Sequence, residues 1–318
     1  MNRSAQSARN TQKRVSCVLF TFHSMFIRFR LFCFFCLLTV AVAAQETATL
    51  RVLAIGNSFS EDAVEQYLYE LGREAGVNFI IGNAYRPGQS LAAHWQDASS
   101  RSALTEYRKI VNGKRTNLKD TSLRDIVTDE PWDVITFQQV SQDAGIPETY
   151  EPALSLLIGY VRALALVDSV RLGFHQTWAY AQDSDHQGFA NYDRDQWRMY
   201  SQISTAVEVA IHYHPDDLSF YIPAGTAIQN ARTSPLAKPS ADEKSQLVNR
   251  ELTRDGFHLN YTLGRYTVAC TWLEALTGIS PVGLKSRPKG ITPEQAALAQ
   301  QAAHAAILLP MAVTPMGN

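Results

Sequence analysis

Leu50-Arg51-Val52-Leu53-Ala54-Ile55-Gly56-Asn57-Ser58-Phe59-Ser60 is the stretch that decides the fold. Its first six residues are apolar except Arg51 and show no alternation. That pattern reads as a strand buried on both faces. The run ends in Gly-Asn-Ser, and Asp62 to Gly76 follows with Val64, Tyr67, Leu68 and Leu71 at helical spacing and Gly76 as a stop. A strand that leads straight into a helix begins an α/β arrangement.

The pattern continues outward. Strands are expected at Asn78–Ile81, Trp132–Phe137, Val170–Phe174 and Leu218–Ile222. Helices are expected over Pro152 to Val167, Asp195 to Tyr213, Leu263 to Leu276 with Gly278 as its stop, and Pro293 to Leu309. Five mostly apolar strands alternating with helices predict an α/β fold with a parallel five-stranded sheet covered on both faces. Residues 97–131 are less regular, and Tyr107–Ile110 with Asn112-Gly113 suggest a small inserted hairpin. Residues 231–254, with Pro235 and Pro239, read as a long polar loop.

In a parallel sheet the ligand site lies beyond the carboxyl ends of the strands. Polar residues gather at each expected end: Asn57-Ser58, Gly88-Gln89-Ser90, Gln138-Gln139, His175-Gln176-Thr177 and Gly225-Thr226.

The first 44 residues carry six Lys/Arg and no Asp or Glu, and Arg28 and Arg30 precede the apolar stretch Leu31 to Ala44. This is the layout of a secretory signal peptide cleaved near Ala43/Ala44, with Met25 an alternative start. The apolar stretch is shorter than the roughly 20 residues a membrane span needs. The expected organisation is a leader over 1–44 and a single domain over 45–318, exported to the periplasm or beyond. Without the leader, 23 Lys/Arg stand against 30 Asp/Glu, about −7. Such a charge argues against nucleic acid and anionic membranes as partners. Only Cys270 of the four cysteines remains, so the core and not a disulfide must stabilise the fold.

Two motifs carry chemistry. Ser58, at a strand-to-helix turn, is either a nucleophile or, like Ser60, a helix N-cap. Asp255-Gly256-Phe257-His258 supplies either a general base with its orienting carboxylate or a surface turn capped by its Asp.

Together, Gly56-Asn57-Ser58 and Asp255-x-x-His258 resemble the SGNH/GDSL hydrolases, in order and spacing across the mature chain. Ile55 to Ser60, Trp132-Asp133-Val134-Ile135, Gln138-x-x-Ser141 and Asp255 to Leu259 leading to Gly264-Arg265-Tyr266 are similar to a secreted, mostly bacterial branch of SGNH-like domains. The resemblance implies a three-layer α/β/α, flavodoxin-like fold. It implies Ser58 as nucleophile, His258 as base and Asp255 as its orienter. The oxyanion hole would be the N–H of Ser58, Gly88 and an amide from the third block. No Gly-x-Asn-Asp occurs there, so Gln138 takes that place, with Gln139 in reserve. Asn57 stands where the family has Asp.

The implied activity is carboxylic ester hydrolysis, with an O-acetylated carbohydrate as the favoured substrate. The alternatives are an inactive glycan-binding protein on the same fold, or a lipase or thioesterase. Asn57, His175, Trp178, Asn230 and Arg232 are expected to line the substrate site, with Trp178 able to stack on a sugar. No cofactor is expected: there is no Walker loop, Gly-x-Gly-x-x-Gly or Cys-x-x-Cys. No metal is expected either. His212-x-His214 is badly angled on a helix, and the Asp-rich segments at 183–186 and 193–195 lack EF-hand spacing. No feature specifies self-association.

Overall fold

The computed structural model describes residues 48–238, 240–242 and 247–317. The leader expected over residues 1–44 lies outside the described residues. All five expected strands are present: β1 (Ala48–Gly56), β2 (Val77–Tyr85), β5 (Val134–Phe137), β6 (Arg171–His175) and β7 (Leu218–Ile222). The expected hairpin supplies β3 (Thr105–Val111) and β4 (Lys114–Thr121). Its turn residues Asn112 and Gly113 have φ of 52° and 72°. Two consecutive positive φ values match the right-handed twist of the flanking strands, which is why Asn-Gly marks such turns.

The sheet runs β4-β3-β2-β1-β5-β6-β7. The five strands from β2 to β7 are parallel, and the hairpin adds to the β2 edge antiparallel. The expected five-stranded parallel sheet is therefore widened to seven strands. Ranked by sequence, the parallel strands lie in the order 2-1-3-4-5, the flavodoxin-like order, whose switch point is between β1 and its neighbours. Edge strand β4 is almost wholly exposed and carries Lys114, Arg115 and Lys119, charges that discourage pairing with another chain. A short ladder, β8 (Ser240–Asp242) with β9 (Leu247–Asn249), stands apart in the expected loop.

Helices cover the sheet in two groups. The first contains α1 (Ser58–Val64), α2 (Leu68–Glu74), α7 (Ala224–Arg232), α8 (Leu263–Thr277) and α9 (Pro293–Leu308), packed on one another. The second contains α3 (Leu91–Ser100), α4 (Leu123–Val127) and α5 (Ala153–Leu164). The long helix α6 (Gln196–Tyr213), N-capped by Asp195, packs beside α7. Gly278, the expected stop, closes α8 at φ 71°, and Thr292 with Gln295 forms a capping box at the start of α9.

Asp62 to Gly76 is not one helix. Tyr67 takes a left-handed φ of 67° and splits the segment into α1 and α2. An aromatic residue pays for that conformation only when tertiary contacts hold it. Here the Tyr67 hydroxyl donates to the Tyr261 carbonyl at 2.6 Å, and its ring meets Tyr266 edge-on at 5.9 Å. Among the described residues no helix is long and apolar enough to cross a membrane. Cys270 is buried within α8, and burial pushes its thiol pKa up.

Candidate active site

The chain leaves β1 at Gly56, and Asn57 caps α1. The Asn57 carbonyl oxygen Oδ1 accepts from the Phe59 N–H at 2.9 Å. Neither serine is the cap. Ser60 is buried and donates to the Asn57 carbonyl at 2.7 Å and to Asn83 Oδ1 at 2.8 Å. Ser58 is thus left free at the first helical position, half-buried between the buried Asn57 and Phe59. Its N–H belongs to the first turn, where a helix offers no carbonyl partner.

Ser58 Oγ meets His258 Nε2 at 2.9 Å across 200 positions of sequence. His258 Nδ1 meets Asp255 Oδ2 at 2.7 Å. Because the carboxylate accepts, Nδ1 carries the proton and Nε2 is bare toward the serine hydroxyl. Asp255 Oδ1 also accepts from the backbone N–H of His258 at 2.7 Å and of Phe257 at 3.1 Å. Burial works to raise the Asp255 pKa, but these bonds outweigh it and hold the carboxyl at about 2.

The tetrapeptide is a built loop and not an exposed turn. Gly256 has φ 93°, and a Cβ there would stand 3.0 Å from Ser184 Oγ, so glycine answers both the backbone and the space. The Gly256 carbonyl accepts from Ala181 N–H at 2.8 Å, and Arg254 N–H donates to the His258 carbonyl at 2.9 Å. The His258 ring packs between Phe257 and Phe59, with centroids 4.1 and 5.9 Å away.

Beside Ser58, Asn57 joins three strand ends. Its Nδ2 donates to the Gln89 carbonyl at 2.9 Å, and its Oδ1 accepts from Gln138 Nε2 at 2.9 Å. It is buried and lines no open site, which corrects its expected contact with substrate. Gly88 sits one residue from that anchored carbonyl, exposed, with φ 63° and open space where a Cβ would stand. Gln138 is as buried as Asn57; its Oε1 accepts from His175 Nδ1 at 3.2 Å and one N–H of its amide is committed to Asn57, while the other has no partner among the described residues. Gly56 makes room for this amide: a Cβ there would stand 2.7 Å from Gln138 Oε1.

Five further expectations are corrected. Gln139 has no donor left for an oxyanion, because its Nε2 serves the Thr149 carbonyl and hydroxyl while its Oε1 accepts from Leu91 and Val140. Trp178 is 0% exposed, stacked on Phe59 at 4.3 Å, and its indole N–H holds the Phe257 carbonyl at 2.7 Å. It cannot offer a face to a sugar. His175 is buried beside Trp272, and burial lowers its pKa to about 3. Asn230 ties α7 to the Ala302 carbonyl and the Thr314 N–H. Arg232 donates to the carbonyls of Glu251 and Ala179 and to Gln229, and burial lowers its pKa to about 10 despite Glu251 nearby. Four of these side chains hold backbone in place, and His175 holds the Gln138 amide.

Three residues near the site escaped sequence reasoning. Asp62 is buried on α1, one turn after Ser58, and is paired with Arg254 and Arg265. Tyr261, three residues past His258, is 53% exposed, with the guanidinium carbons of Arg254 and Arg265 at 4.8 and 4.7 Å from its ring centre. The only sequence signal for Asp62 was its spacing of four from Ser58, which places both on one helix face. His186 is the third, half-buried with its ring 4.7 Å from Phe257. Burial, and then the neighbouring His258, lower its pKa.

The known proteins place the chain. The model of DUF4886, a domain of unknown function, matches residues 51–306. The crystal structure of a DUF4886 family protein from Bacteroides uniformis ATCC 8492 is similar at 43% identity and a TM-score of 0.78, covering 84% of this chain and 98% of that one. More distant likenesses include an acetyl-xylooligosaccharide esterase mutant from Geobacillus Stearmophilus, at 13% identity and a TM-score of 0.45 over 75% of this chain and 97% of that one. Another is a Clostridium thermocellum family 3 carbohydrate esterase, at 14% identity and a TM-score of 0.39 over 71% and 94%. Likenesses that low say nothing about the chemistry of this chain. A comparison with the curated proteins finds no match. The family match and the Bacteroides relative both span most of the sequence, and the chain belongs to the DUF4886 family.

Proposed function

We propose that this protein is a serine hydrolase of SGNH type that cleaves carboxylic esters, with an O-acetylated carbohydrate as substrate. The observation that carries the reading is the continuous chain Ser58 Oγ, His258 Nε2, His258 Nδ1, Asp255 Oδ2, with links of 2.9 and 2.7 Å. Ser58 attacks the ester carbonyl while His258 takes the Ser58 proton, and Asp255 holds the resulting imidazolium. The tetrahedral oxyanion lies against the N–H of Ser58, the N–H of Gly88 and the remaining N–H of Gln138. Collapse expels the sugar alcohol, which takes the proton from His258. Water, deprotonated by His258, then attacks the acyl-Ser58 ester and releases acetate. Residues 45–318 act as one domain in this reading, exported by the leader to the periplasm or beyond.

The test is turnover of p-nitrophenyl acetate and labelling by a fluorophosphonate. Wild type should do both, and Ser58→Ala neither. Activity should fall on acidification, because protonated His258 cannot accept the Ser58 proton. Equal turnover by Ser58→Ala would sink the assignment. A wild type inert to both reagents that still binds acetylated glycans would favour a binding protein on this fold.

A further inference from the structure

We infer that Asp62 is a positioning residue that fixes the Asp255–His258 loop to the helix carrying Ser58. This rests on the reading of Ser58 and His258 as nucleophile and base. Those two residues come from segments far apart in sequence, and their distance must be held to a fraction of an ångström for proton transfer.

Asp62 lies four residues after Ser58 on α1, and its side chain is 0% exposed. Its carboxylate binds the loop on both sides of the tetrapeptide. On the near side, Arg254 precedes Asp255 directly, and its Nη1 donates to both Asp62 oxygens at 3.0 and 3.1 Å. On the far side, Leu259 follows His258 directly, and its N–H donates to Asp62 Oδ2 at 2.7 Å. The Arg254 guanidinium also donates to the Leu259 carbonyl, so the two ends of the tetrapeptide are joined to each other as well as to Asp62. Arg265, on α8, completes the node at 2.5 Å and reaches on to Gln66 Oε1 at 3.1 Å. The middle of the loop has a second strut, the Trp178 N–H on the Phe257 carbonyl.

The arrangement is more than a staple for stability. A buried ion pair can commonly be replaced by apolar packing without loss of stability, so the charges need another reason. Two guanidinium groups stand at the foot of the loop that carries His258, and Asp62 balances them. Burial outweighs Arg265, Arg254 and His258 and raises the Asp62 pKa, so the two arginines are what keeps a charge tolerable there.

Asp62→Asn keeps the size of the side chain and an acceptor for Leu259 N–H, but loses the charge. With p-nitrophenyl acetate, kcat should fall about 100-fold, the scale of a small misplacement, while KM stays within about two-fold. The loss should vanish in a His258→Ala background, because Asp62 acts through His258. Arg254→Lys, which retains charge but ends one atom short of the Nη1 that meets Asp62 and the Leu259 carbonyl, should lower kcat about 10-fold and decides the matter if Asp62→Asn does not fold. Full kcat in folded Asp62→Asn, or in Arg254→Lys where Asp62→Asn does not fold, would overturn the inference. So would an undiminished Asp62→Asn loss in the His258→Ala background. Activity in Ser58→Ala would instead remove the nucleophile assignment on which it rests.

Discussion

Trp178 holds Phe257 in place: its indole N–H donates to the Phe257 carbonyl at 2.7 Å while its ring lies flat on Phe59, 4.3 Å away and 14° from parallel. One residue on β1's side of the site, Phe59, is thereby linked through one aromatic ring to the residue before His258. The side chain is a spacer between the segment that carries Ser58 and the loop that carries His258.

Trp178→Phe should therefore damage both stability and turnover, and leave specificity alone. It keeps a stacking ring but leaves the Phe257 carbonyl without its donor and opens space behind it. The expected cost is about 2 kcal/mol of unfolding free energy. Denaturant titration measures that, and kcat on p-nitrophenyl acetate should drop about 10-fold. A selective rise in KM for glycan esters with full stability would return Trp178 to a sugar-stacking role.

That reversal shows which parts of the site were legible in sequence. Asp255 and His258 were, because an Asp-x-x-His pair meets within one turn of chain and needs no distant partner. Ser58 was, because a serine between a buried strand and a helix can stand only at the strand end. The Asn112-Gly113 hairpin was, because its positive φ values are a local demand. Exposure was not, since Trp178, just past β6, and Asn230 and Arg232, on the helix after β7, all point into packed protein. Helix α7 was missed for a related reason. Ala224, Ala227, Ile228 and Ala231 recur at helical spacing, but the run is only nine residues long and its polar Thr226, Gln229 and Asn230 are buried as well, so nothing in it marks a surface helix. The Tyr67 break was missed because contacts with Tyr261 and Tyr266 hold it, 194 and 199 positions away in the chain.

Acid should weaken the fold before it touches Asp255. His94 and His175 are buried, and burial lowers their pKa values from 6.5 to about 4 and about 3. The unfolded chain takes up protons at both positions below pH 6.5, while the native state refuses them until pH 4 or lower. Stability must then fall as pH drops from about 6.5 toward 4, by on the order of 1 kcal/mol per pH unit for each histidine. Asp255 works in a different window. Its folded pKa of about 2 lies below 3.8, so its contribution is complete above that value and is lost only as pH falls through about 2. Urea midpoints at pH 7 and pH 5 test this. His94→Gln, which can still donate to the Gly56 carbonyl now bonded to His94 at 3.1 Å, should roughly halve the pH slope. An unchanged slope would show that other groups control acid unfolding.

The two adjacent glutamines should separate cleanly. Gln138 has an N–H left over after its bond to Asn57, and Gln139 has none. Gln138→Ala removes a proposed oxyanion donor, which costs about 3 kcal/mol of transition-state stabilisation, or a few hundred-fold in kcat. Its stability loss should be smaller than that of Gln139→Ala, because Asn57 keeps the Phe59 N–H and the Gln89 carbonyl as partners and only the His175 ring N–H is left unpaired. Gln139→Ala should behave in the opposite sense. It leaves the Leu91 N–H, the Val140 N–H and the Thr149 carbonyl unpaired in the interior, each costing about 1–3 kcal/mol where no water can reach. A large fall in unfolding free energy with kcat nearly unchanged in the folded fraction is expected, measured by denaturation and by fluorophosphonate titration of active sites. If Gln138→Ala keeps its kcat, the hole is made by the backbone N–H groups of Ser58 and Gly88 alone, and Gln138 serves only to brace Asn57 against His175.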